Sequence, residues 1–396
     1  MAASAELEVR TIRPPPSAAD GLWSRLDLLP RVLYWGTHAA CLAALFVGVT
    51  AGDLALLAAT FLGRMFAITA GYHRYFAHRA YSTSRVFQFV LAFVAQSSLQ
   101  SGAVWWAAKH RDHHRYSDTG RDVHSPRQYG FWFAHLGWIF HETAGKADYG
   151  RVPDLTRYPE LMWLDRQRFM PGLLLGFAVW ALFGWSGVFG GFVLSTVVLY
   201  HGTFAINSLA HVLGRQRYLT GDDSRNNWWL AVLTLGEGWH NNHHYFMAST
   251  RQGFFWWEID VTYYLLRGLA ALGLVWDLKT PPPQVLAGQR SLSAELKERV
   301  ASLLASSYST DKIVERMKAR WAETHPGQAW DEWCKRAGEK LAQHVPAYLP
   351  TVDELKARAQ RMFARSPAMD EIIARAREMI EQTVFAQLAL QPVAVR

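Results

Sequence analysis

Three long stretches of the chain are almost free of charge. Val32 to Gly52 has no Asp, Glu, Lys or Arg, Leu54 to Tyr72 is interrupted once by Arg64, and Met170 to Ala210 has none. A helix needs about 20 mostly apolar residues to cross the hydrocarbon of a bilayer. The third stretch is long enough for two crossings, with Gly184-Trp185-Ser186-Gly187 as the turn between them. The pattern predicts four transmembrane helices in two hairpins, at about 32–52, 54–72, 170–186 and 188–210. The fold class is therefore all-α, a polytopic membrane protein with a helical cytoplasmic cap. Any one stretch alone would also suit a buried core helix; two hairpins of matching length favour the membrane. Arg64 is expected to snorkel or to make a polar contact inside the bundle.

Lys and Arg set the sidedness. The two short turns contain neither, whereas Arg10, Arg13, Arg25 and Arg31 precede the first span. The long loop 73–169 and the chain after His211 carry most of the rest. Both termini and the loop are thus expected in the cytoplasm. Residues 1–31 form an N-terminal segment without the layout of a cleaved signal, and 32–280 form the membrane domain. Within 211–280, Val261 to Trp276 is too short for a span and suits the membrane interface. Pro281-Pro282-Pro283 is a stiff linker to a soluble tail, 281–396, with helical periodicity at Ile313, Met317 and Trp321.

Composition narrows the function. From Pro282 onward there are 17 Lys/Arg and 14 Asp/Glu, against 24 and 19 in the much longer part before it, so the tail is the polar region. No basic run with interleaved aromatics occurs, which argues against nucleic acid. Two Cys, Cys41 and Cys334, cannot build a disulfide framework or a cysteine-rich cluster. No Gly-x-Gly-x-x-Gly fingerprint follows a strand, so no dinucleotide site is expected. In the tail, His325-Pro326-Gly327-Gln328 has only a faint likeness to a haem-binding signature, and its surroundings do not match.

Histidine is the unusual residue: 13 of 16 lie between His73 and His244. Nine fall in four motifs: His73-Arg-Tyr-Phe-Ala-His78, His110-Arg-Asp-His113-His114, Asn207-Ser-Leu-Ala-His211, and His240-Asn-Asn-His243-His244. Residues three and four apart share a helix face, which holds for His110, His113 and His114, for His240, His243 and His244, and for Asn207 with His211. His73 and His78 are five apart and are expected to straddle a helix end. So many neighbouring imidazoles would repel one another if protonated; coordination of neutral rings to metal removes that cost. Nine ligands exceed the needs of one ion and suit two, with four or five His each. Imidazole accommodates zinc, copper, iron or nickel, so spacing alone leaves the element open.

The motifs, in this order and between these spans, resemble the membrane-bound fatty acyl desaturases of the stearoyl-CoA Δ9 type over about residues 30 to 280. Further likenesses are Ile68-Thr-Ala-Gly71-Tyr72-His73-Arg74, Gly130-Phe-Trp-Phe-Ala-His135-Leu-Gly137-Trp138 and Gly236-Glu237-Gly238-Trp239-His240-Asn241. The run Arg251-Gln-Gly-Phe-Phe-Trp-Trp-Glu258 is similar to bacterial members. The resemblance implies nine ligands to two irons: His73, His78, His110, His113, His114, His211, His240, His243 and His244. It implies that Asn207 supports an iron-bound water. His124, His135, His141 and His201 are not expected to be ligands. Val123 stands where the family has Pro. Gly137-Trp138 is followed by Ile139-Phe140-His141-Glu142, where animal stearoyl-CoA enzymes have a basic pair.

The implied reaction takes two electrons from an external donor, a ferredoxin-type protein or a flavin reductase, and dioxygen, and places a cis double bond in an acyl-CoA or acyl-phospholipid chain. Trp105, Trp106 and Phe204 are candidates to line an acyl tunnel, or simply to pack. The rival readings are a diiron hydroxylase with the same ligands, a membrane metal transporter, and a membrane anchor whose tail recruits partners. Transport histidines should line a path near the bilayer midplane, whereas these lie at span ends. An anchor leaves nine clustered His unexplained.

Overall fold

The structure is a computed structural model that describes residues 28–141, 144–330, 332, 334 and 343–389. Most of the expected N-terminal segment, including Arg10, Arg13 and Arg25, lies outside the described residues. The chain divides into two compact units: Met1–Arg217 with Asp222–Pro283, and Tyr218–Gly221 with Gln284–Arg396.

The first unit is built on apolar helices. Ala51–Ala77 and Met170–His211 are long and apolar enough to cross a membrane, at 27 and 42 residues. The second is about twice the length that one crossing needs, and Gly184 breaks it, with φ +62° and ψ −162°. Beyond the break the chain doubles back, so that a Cβ on Gly176 would meet the Phe192 ring at 3.2 Å. The stretch expected to span 32–52 is shorter than anticipated: its apolar helix covers Arg31–Val47. Gly48, at φ +71°, turns the chain out of the helix. Thr50 and Asp53 then form a reciprocal cap on the next helix, Ala51–Phe66, in place of continued apolar spanning. Leu45, Phe46, Leu173 and Leu182 are all more than two-thirds exposed on these helices, an apolar surface that water would not tolerate at this extent.

Arg64 does not snorkel. It is buried, and its guanidinium donates to the Thr60 carbonyl at 3.0 Å, the Thr196 hydroxyl at 2.7 Å, and the Ser195 hydroxyl and Phe192 carbonyl. The charge thereby pins Ala51–Phe66 to the returning arm after Gly184. Among the described residues the strands are two residues each: Ser82–Thr83 pairs antiparallel with Val275–Trp276. Val261–Ala271 is an 11-residue helix capped by Asp260.

The second unit packs the helices Ala294–Ser306, Thr310–Thr324, Val352–Met362 and Met369–Ala389 around Leu304, Ile313, Leu355, Ile372 and Ile380. Ala376, Ile380, Val384 and Leu388 recur every four residues, which aligns them on one face. Ser293, Ser309 and Thr351 accept backbone N–H bonds at three helix starts.

Candidate metal centre

Each histidine motif sits where the backbone changes character. The helix Ala51–Phe66 widens into a π-helical stretch, Ala67–Ala77. His78 N–H donates to the His73 carbonyl at 3.2 Å, an i to i+5 bond. In that geometry residues five apart become neighbours, and His78 is the capping residue just past Ala77, so the pair straddles the end of the widened helix as its spacing predicts. His110, His113 and His114 lie on the last turns of Ala103–Tyr116. His211 ends the turn Leu209–His211 that continues Leu194–Ser208, and the fourth motif occupies the short helix His240–Tyr245.

Two groups of ring nitrogens result, each within 4.8 Å: His73, His78, His110, His114 and His243; and His113, His211, His240 and His244. The motifs are therefore split. His110 and His114 face one centre while His113, between them, faces the other, and His243 parts from His240 and His244. The centres adjoin, with the rings of His114 and His244 4.3 Å apart.

Their geometry fits bound metal. In the five-histidine group the Nε2 atoms run His73–His243 2.9 Å, His243–His114 2.9 Å, His114–His110 3.0 Å and His110–His78 2.9 Å. Each nitrogen offers one lone pair or one proton, so five nitrogens can form at most two of these four hydrogen bonds. Imidazoles about 2.1 Å from an ion, at right angles, stand about 3 Å apart. In the other group His211 Nε2 lies 3.1 Å from His240 Nε2. His244 Nε2 there is buried without a hydrogen-bond partner among the described residues. Burial first, and then the charges of neighbouring imidazoles, pushes His78, His110, His114, His240 and His243 well below the usual histidine range. The burial favours the neutral ring, the form that binds metal.

A family model of fatty acid desaturases matches residues 52–276. The chain is 38% identical over 265 residues to Delta-9 acyl-lipid desaturase 2 of Arabidopsis thaliana, covering 66% of this chain and 86% of the relative. It is 36% identical over 265 residues to Acyl-CoA 5-desaturase AL21 of Anemone leveillei, 66% and 82% of the two chains. It is 36% identical over 222 residues to the sn-2 palmitoyl-lipid 9-desaturase of Nostoc sp. (strain 36), 55% and 78%. The chain belongs to the fatty acid desaturase family. It is an oxidoreductase acting on acyl chains, associated with membrane, and its histidine clusters are able to bind metal.

Around the clusters of this desaturase stand carboxylates that sequence reasoning missed. Asp122 accepts from His113 Nδ1 at 3.1 Å, Asp118 from His211 Nδ1 at 3.0 Å and Asp222 from His244 Nδ1 at 2.8 Å. Glu237 pairs with His73 Nδ1 and with Arg74, at 3.0 Å to the latter. Burial opposes ionisation of Asp122 and Asp222, yet the facing histidines outweigh it and hold both below the ordinary carboxylate range. Such partners fix the tautomer and aim of each ring. The acidic residues beside the second motif, in Asp118-Thr-Gly-Arg-Asp122, were the available signal. Asn207 lies half-buried on the last turn of Leu194–Ser208, one turn before His211.

Of the histidines set aside, His124 falls with His113 and Asp122 in a third group whose ligand atoms lie within 4.8 Å of one another. His124 is buried beside Asp122, with Nδ1 3.4 Å from its carboxylate, and burial pushes it down to about 3. His135, His201 and His38 form a hydrogen-bonded line, 3.0 and 3.1 Å between rings, that ends on Ser208 at 2.9 Å. The ring of His141 lies 6.2 Å from that of Phe133. Trp106 stacks on His110 at 4.7 Å. Trp105 donates to the Gly145 carbonyl at 3.3 Å, and Phe204 packs with Tyr34, Phe140 and Tyr200.

Proposed function

We propose that this desaturase holds two iron ions, one in each cluster, and uses them to place a cis double bond, of Δ9 type, in an acyl-CoA or acyl-lipid chain. The observation that carries the reading is the convergence of nine imidazoles into groups of five and four. His73, His78, His110, His114 and His243 would hold one ion; His113, His211, His240 and His244 the other, with Asn207 supporting a water there. The relatives' names cover both acyl carriers and the 9-position.

The reaction balances as –CH2–CH2– plus O2, two electrons and two protons, giving –CH=CH– and two waters. Bound iron would supply the oxidising power that no side chain has. The electrons would come from an external ferredoxin-type or flavin-type donor. The protein's own part is positional. Asp118, Asp122, Asp222 and Glu237 lock four rings in one tautomer. Trp106, stacked on His110 and 5.5 Å from the Tyr72 ring, walls the five-histidine side with apolar surface. Such walls exclude water and hold a chosen pair of methylenes near the centre, and position alone distinguishes chemically similar carbons.

We read four crossings: Arg31–Val47, Ala51–Ala77 and the two arms that meet at Gly184. This places both termini and the centre on the cytoplasmic side, following the Lys/Arg asymmetry. Residues 32–280 would form the catalytic membrane domain, with 281–396 a separate tail.

Expression in a host that needs unsaturated fatty acid tests the reading. Growth, with a new double bond located by mass spectrometry of lipid and thioester fractions, is expected. A hydroxylated chain without a new alkene would favour the hydroxylase instead, and metal uptake into vesicles the transporter.

A further inference from the structure

The two centres differ in what stands behind their ligands. In the four-histidine group three of four rings donate to a carboxylate: His113 to Asp122, His211 to Asp118 and His244 to Asp222. These carboxylates are buried, at 2%, 2% and 7% exposure. Each also accepts a hydrogen bond from a further group. Asp118 accepts from the Ser125 hydroxyl at 2.6 Å and from Asp223 N–H at 2.7 Å. Asp122 accepts from Asp118 N–H at 2.9 Å, and Asp222 from the Ser224 hydroxyl at 2.6 Å.

In the five-histidine group one ring of five, His73, meets a carboxylate. That carboxylate, Glu237, is shared with the Arg74 guanidinium, whose other end is bound by Asp260 at 2.9 Å. His243 Nδ1 faces the side-chain amide of Gln252 at 3.5 Å, a neutral partner. Among the described residues no carboxylate contacts His78, His110 or His114.

We infer that the two metal positions are unequal: the three aspartates make the four-histidine position the one that fills first and empties last. The inference rests on reading the clusters as two metal positions. A carboxylate behind an imidazole raises its basicity and adds negative charge near a divalent ion, in a setting where water cannot screen it. Three such charges act on one ion, against one on the other that is partly cancelled by Arg74. The four-histidine rings are also better fixed before metal arrives, so less order is imposed on binding. Asp118, Asp122 and Asp222 are thus positioning residues that act through their histidines.

The test uses the full chain in detergent, loaded with 57Fe, with iron counted by mass spectrometry during chelation and the sites followed by Mössbauer spectroscopy. Wild type should lose iron in two phases of about one ion each, with one quadrupole doublet vanishing first. Asp222→Asn should lower the affinity of the slow ion by about 10- to 100-fold, so that it leaves first or is missing, while the other doublet is unmoved. Asp222→Glu should restore part of the slow phase, which a merely structural role would not predict. Two ions leaving wild type in a single phase would overturn the inference and leave the two-iron reading standing, and so would equal loss of both doublets in Asp222→Asn. Wild type that binds one ion or none would overturn both.

Discussion

The two units of the chain are both helical, yet they solve burial in opposite ways. Among the described residues, every buried polar or charged side chain belongs to the first unit, and none lies in 284–389. The second unit buries Leu304, Ile372, Ile380, Val384 and their neighbours, an ordinary apolar core. The first buries Arg74, Asp118, Asp122, Asp222, Glu237 and six of the nine clustered histidines below one-tenth exposure. Burying such groups costs several kcal/mol each unless they are paired and hydrogen-bonded. A fold gains nothing from that arrangement that leucines would not give more cheaply. The contrast shows where stability alone explains a core and where chemistry must.

The largest expected effects fall on the polar core. His113→Ala should insert in the membrane normally but make no unsaturated product, read by gas chromatography of host fatty acids; near-normal product would deny His113 a place in the centre. Replacing Arg74 by Met leaves Glu237 and Asp260 facing each other without their cation. Breaking a buried pair in this way costs about 3–5 kcal/mol, visible as early thermal aggregation of the purified protein. A variant as stable as wild type would show that the pair is not structural.

The contrast was only partly legible beforehand. The apolar stretches, the helical class and the nine histidines stand out because hydropathy and residue type are local properties of the chain. The allotment of rings to centres was not legible. His110, His113 and His114 share an arc of one helix, but which centre each ring meets depends on side-chain torsion and on elements far along the chain. The widened turn at Ala67–Ala77 has no sequence mark beyond the unusual five-residue spacing itself. Asp118 meets His211 across 93 positions, a distance at which spacing arguments have nothing to say. The apolar helix of the first stretch ends at Val47, because Gly48 turns the chain and Thr50 caps the next helix, and hydropathy alone does not register either event.

A smaller effect should appear in the apolar core. Ile380→Ala removes buried methylenes and should destabilise the second unit by about 2–5 kcal/mol, seen by calorimetry, while iron content stays at the wild-type value. Loss of iron in that variant would break the separation between the two kinds of core. Smallest of all, Glu160→Gln removes the half-buried carboxylate partner of the exposed Arg85 and should change neither stability nor product measurably, as is usual for surface pairs.

The most direct measurement is iron K-edge X-ray absorption on the purified full-length protein. The account predicts an all-nitrogen and oxygen shell near about 2.1 Å, with outer scattering from four to five imidazoles per iron. A shell dominated by sulfur or carboxylate, or one to two imidazoles per iron, would contradict it.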